Sequence, residues 1–118
     1  MPTPMDEKTL EQVSQLESET PELIDEVFRI FVNDAPRLLR VIAAAQASGD
    51  LEAAQQAAHF LRSGALVMGL ADLAQKAGDI EHLAPEQFGG EQAGALVVEL
   101  RKELHRVLLT LLRKLKSG

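Results

Sequence analysis

Few side chains in this sequence could carry covalent chemistry. Cysteine is absent, which removes thiol nucleophiles, thiolate metal sites and disulfides together. Of the three histidines, His59 has the informative neighbours. On a helical wheel Glu52, Gln55, Gln56, Arg62, Ser63 and Leu66 fall within about 60° of it. Ala54, Ala57, Leu61, Ala65 and Met68 lie opposite. An imidazole at the centre of a polar face is open to solvent and mostly neutral at pH 7, so one ring nitrogen can act as a nucleophile. Arg62, one turn on, is always charged and binds phosphate oxygens in a bidentate way. The pair therefore suits chemistry in which an anionic group becomes attached to the ring.

The surrounding residues extend that reading. Gly64 sits mid-helix, where glycine costs about 1 kcal/mol relative to alanine, so it marks close packing by a neighbouring helix or a partner. Leu66 and Val67 put apolar surface beside the polar patch, as a docking area would. The second ring nitrogen needs a hydrogen-bond partner to orient the imidazole. Gln55, Gln56 or a side chain on the following helix could supply it. His82 and His105 lack small and cationic neighbours at helical spacing and read as ordinary surface or boundary residues. No zinc-binding spacing such as H-E-x-x-H occurs, and no metal site is expected. With no Gly-rich nucleotide loop and too few residues for an ATPase domain, an autonomous kinase is disfavoured.

The elements that must position these residues are helical. Ala, Leu, Glu, Gln, Lys and Arg dominate, and alternating β-branched runs are missing. A short first helix is predicted over about residues 7–17. Thr20 and Pro21 then form a start signal for a long helix whose apolar arc holds Leu23, Ile24, Val27, Ile30, Phe31, Ala35, Leu38, Val41, Ile42 and Ala45. The register survives Pro36, which predicts one helix kinked or briefly interrupted there. Gly49 is its expected left-handed cap and Asp50 the N-cap of the next helix, over about 51–67. Gly69 breaks that helix. A further helix is predicted over about 71–84, a loop over 85–90, and a last helix over about 91–115 with Val97, Leu100, Leu104, Val107, Leu108 and Leu111 on one face. The expected fold is all-α: an antiparallel up-down four-helix bundle with an additional short N-terminal helix.

Length and charge bound the rest. The 118 residues make one domain, and 46% hydrophobic with 25% charged residues is usual for a packed soluble protein. Net charge is −6, and the four aromatics are all Phe, which disfavours phosphate backbones and base-stacking platforms. Nucleic acid is not an expected partner. No membrane span and no secretory signal is visible, so a cytoplasmic monomer is the expectation. Residues 95–118 carry a net +4; this basic last helix reads as a bundle helix with a solvated face in preference to a membrane-surface helix.

The run Ala58-His59-Phe60-Leu61-Arg62-Ser63-Gly64-Ala65-Leu66-Val67-Met68-Gly69 resembles the motif of histidine-containing phosphotransfer (HPt) domains, A-H-x-L-K-G-S/A-A-x-x-x-G. The likeness extends over about residues 20–84. It implies a four-helix bundle that relays phosphoryl groups between receiver-domain aspartates in multistep two-component signalling. Carried across, His59 is the phosphorylated residue, and Arg62 stands where the family usually has Lys. The family's Gly-Ser order appears as Ser63-Gly64. Gln55, Gln56, Ser63, Gly64 and Leu66 join Arg62 in stabilising the phosphoryl group or docking the partner. Implied partners are receiver (response regulator) domains and a hybrid sensor histidine kinase; no cofactor is implied, and any Mg²⁺ would come with the receiver. The alternative is a degenerate HPt domain, a helical module that docks signalling partners without being phosphorylated.

Overall fold

A computed structural model describes the backbone of residues 21–117 and the side-chain surroundings of residues 26–114. The described residues form helices and no strand: α1 (Pro21–Ser48), α2 (Leu51–Val67), α3 (Ala71–Glu81), the single turn α4 (Pro85–Phe88) and α5 (Glu91–Ser117). The helix predicted over about 7–17 and the Thr20 cap lie outside the described residues.

Helix α1 is unbroken across Pro36. Proline there removes one backbone donor, but Phe28, Phe31, Ala35 and Ile42 are buried on either side of it and hold the helix in place. The arc read from the sequence is wider than the stripe the bundle buries. Ile30 and Val41, on its flank, are 54% and 40% exposed, whereas Phe28, on the other flank, is buried.

Both ends of α2 are fixed by the same device. Gly49 and Gly69 adopt left-handed backbone, φ +79° and +74°. Asp50 N–H reaches back to Ala45 C=O and Leu70 N–H to Ala65 C=O, each at 2.8 Å, which satisfies orphan carbonyls of the ending helix. The Asp50 carboxylate then accepts from Ala53 N–H at 3.1 Å and caps α2.

Helix α3 ends at Glu81, three residues short of the expected Ala84. Ala84 is extended (φ −73°, ψ 151°) because Pro85 excludes the helical conformation from the residue before it. The expected loop over 85–90 contains a helical turn in which Ala84 N–H donates to Gln87 Oε1 at 3.0 Å. That turn buries Phe88 in a small cluster with Ala45, Ala54, Leu83 and Ala93.

Helices α1 and α3 each pack against both α2 and α5, closing a four-helix bundle. Short connections make successive helices antiparallel. Leu61, Leu70, Leu73, Ile80, Leu100, Leu104 and Leu111 are fully buried in the main core, each contributing about 1.5–3 kcal/mol relative to an exposed position. On α2 the inward face is Ala54, Ala57, Ala58 and Ala65 around Leu61, so this helix lies close to its neighbours. Glu103 is buried on the apolar face of α5; one carboxylate oxygen pairs with Arg106 and the other has no partner. No described helix is long and apolar enough to cross a membrane.

Candidate functional site

The inward alanines of α2 turn its polar side outward, and His59 stands on it with half its side chain exposed (50%). Two residues of α2 converge there on one residue of α3. His59 Nδ1 lies 2.8 Å from Glu81 Oε2, and Arg62 Nε donates to Glu81 Oε1 at 2.6 Å. Glu81 is only 17% exposed and Arg62 31%, so the ion pair sits below the ring's open edge. The Arg62 hydrogen bond is the main reason the Glu81 carboxyl titrates below its usual range; the His59 bond adds to this and partial burial opposes it. Glu81 is therefore an anion at neutral pH.

An ionised carboxylate can only accept, so the His59 ring must place its proton on Nδ1 and donate it to Oε2. The lone pair of the neutral ring is then on Nε2. Arg62 Nη2 lies 3.4 Å from His59 Nδ1. Both atoms carry hydrogen in this tautomer, so the approach is a contact of charge with ring and not a second hydrogen bond. The arrangement offers a directed, half-exposed nucleophilic nitrogen with a guanidinium beside it.

The remaining residues named from the sequence divide by direction. Gln55 donates to Leu83 C=O at 3.3 Å, tying α2 to the connection that follows α3. Gln56 is exposed and lines a shallow polar recess with Glu52, Gln55, Glu81 and His82. Ser63 is half-buried on the histidine's side of α2. Gly64 points at α1: a Cβ there would lie 3.5 Å from the Phe31 ring. Leu66 is 55% exposed, with Phe60 at 55% and Val67 at 79% on the same helix. Between α1 and α2 runs an apolar groove of about 610 Å³ lined by Val27, Phe31, Leu38, Phe60, Val67 and Met68. Its wall begins at Phe60, whose ring centroid is 6.0 Å from that of His59.

Glu81 is the residue that no motif singled out. It is the side chain on the following helix that the sequence leaves open as a partner for the ring, and nothing but the dipeptide Glu81–His82 marks it individually. His82 itself turns back, its Nδ1 2.8 Å from Gly78 C=O. The described residues contain no group of three or more His, Asp or Glu placed to hold a metal ion.

Residues 26–113 match the Hpt domain family. The chain belongs to the Hpt family. Hpt domains are phosphocarriers of phosphorelays and not kinases. The fold of this Hpt domain is similar to the crystal structure of histidine-containing phosphotransfer protein B from Pseudomonas aeruginosa PAO1, with a TM-score of 0.85 and 21% identity, covering 100% of this chain and 99% of that one. No curated protein matches the sequence. Within this Hpt domain the matched region contains all of α2, α3 and α4 and both sides of the His59 site.

Proposed function

We propose that this Hpt domain accepts a phosphoryl group on His59 from the phosphorylated aspartate of a receiver domain and passes it to the aspartate of another. One observation carries the reading: a half-exposed imidazole whose inner nitrogen is hydrogen-bonded to an ionised carboxylate that also holds Arg62.

In the forward step Nε2 attacks phosphorus in line. An N–P bond forms, the P–O bond of the acyl phosphate breaks, and the receiver's aspartate leaves with the electron pair. The product ring is cationic with its proton still on Nδ1, facing Glu81, so the carboxylate stabilises the charge that develops, as a carboxylate does behind a catalytic histidine. Arg62 offsets the roughly −1.5 to −2 charge of the phosphoryl group. Reversal returns the group to another aspartate. No metal ligand is needed from this chain; Mg²⁺ belongs to the receiver's phosphorylation site. Phe60, Leu66 and Val67 flank His59 with exposed apolar surface on which a receiver domain seats, placing its aspartate over Nε2. The setting is the cytoplasm, with a hybrid sensor histidine kinase upstream.

Incubation with a phosphorylated receiver tests this. Acid-labile label is expected on the wild type and is lost in His59→Gln. Label retained by the variant removes His59 from the relay. A wild type that binds receivers yet takes no label is a docking module only.

A further inference from the structure

Resting on the phosphotransfer reading, we propose that Gly78 is a positioning residue: its missing side chain is a notch that holds the stem of Arg62 against α3 and so aims the guanidinium. Gly78 lies in the interior of α3 and is buried. Glycine weakens a helix interior, and here no backbone requirement explains it. Its φ is not positive, unlike those of Gly49 and Gly69. Nor does it admit the backbone of a neighbouring helix. A Cβ at this position would meet Arg62 Cδ at 3.3 Å and, beyond that, only His82 Nδ1 at 4.0 Å.

Arg62 Cδ is bonded to Nε, the atom that donates to Glu81 Oε1 at 2.6 Å. Gly78 and Glu81 are three residues apart on α3, hence on one face. The stem of Arg62 thus crosses the helix where no side chain stands and delivers Nε to the carboxylate one turn further on. The same placement brings Nη2 to 3.4 Å from His59 Nδ1. A Cβ at 78 makes the stem give by a few tenths of an ångström, and a larger side chain more, which weakens the guanidinium's hold on Glu81 while both charged groups remain present.

The sign of the effect separates positioning from structural support. Alanine is a better helix former than glycine, which offsets the weakened Arg62–Glu81 bond, so Gly78→Ala is expected not to lower Tm. Phosphoryl transfer from a receiver is expected to slow about threefold in Gly78→Ala, from weakening of one charge-assisted hydrogen bond, and about tenfold in Gly78→Leu, from its loss. The loss falls on kcat with KM unchanged, because Arg62 acts after docking. In an Arg62→Ala background the same substitutions at 78 are expected to change the rate no further. Wild-type kcat in both variants overturns the proposal, as does an equal slowing when Arg62 is already absent. Should Gly78→Leu fail to fold, Gly78→Ala decides. The Arg62 Nε–H resonance gives a readout independent of transfer: it is expected to shift in Gly78→Ala, and an unmoved resonance counts against the notch even where His59 proves not to be phosphorylated.

Discussion

Glu81 accepts hydrogen bonds from two side chains of α2, and its charge matters to both. Glu81→Gln keeps an acceptor for the ring but removes the charge that faces His59 Nδ1. Its amide nitrogen cannot accept from Arg62. Transfer through His59 is expected to fall about tenfold, measured as the rate of label uptake from a phosphorylated receiver, with an unchanged helical CD spectrum. The linkage to stability has a definite sign. The folded carboxyl titrates below the unfolded one, so its contribution is fully present above the ordinary Glu range and fades as pH falls through the depressed folded value. The stability difference between wild type and Glu81→Gln, measured by urea unfolding, is expected to be largest at neutral pH and to vanish in strong acid. A difference that grows on acidification contradicts the ion pair.

At the scale of elements, left-handed glycines and back-bonded amides fix both ends of α2. Asp50→Ala removes the cap at its start and is expected to cost about 1 kcal/mol, read from denaturant midpoints, with little effect on label uptake because His59 lies more than two turns away. These limits of α2 were legible in the sequence because Gly49, Asp50 and Gly69 act locally. The end of α3 was less so: Pro85 marks a stop, but its restriction falls on Ala84, and the chain leaves the helix at His82. Glu81 could not be chosen from sequence for a different reason. Which face of α3 meets His59 depends on how two helices pack, and Gln55 and Gln56 stand nearer along the chain. Glu103 shows a further limit. It falls on the apolar arc of α5 between Leu100 and Val107, and a pattern of hydrophobic positions passes over one buried acid.

For the molecule as a whole, exposed apolar surface divides between α5, with Val98, Leu109 and Leu112, and the α1–α2 side. Ile30 and Val67 are exposed beside the groove that starts at Phe60, next to the His59 ring. Phe60→Ala is expected to raise KM for transfer about tenfold, as loss of an aromatic anchor does. As an exposed change it should shift folding stability by less than ~0.5 kcal/mol. Titration of transfer rate against receiver concentration, alongside a thermal melt, separates the two; an unchanged KM moves the docking surface elsewhere.

The glycine hairpin at Gly69 has one more consequence. Because it folds α3 directly back on α2, His59, Arg62, Gly78 and Glu81 all fall within 23 consecutive residues, 59–81. The His59 site is thus local in sequence although two helices build it. The stretch from α2 through α3 carries every side chain of the site, while α1 supplies the far wall of the groove and packs its Phe31 ring beside Gly64.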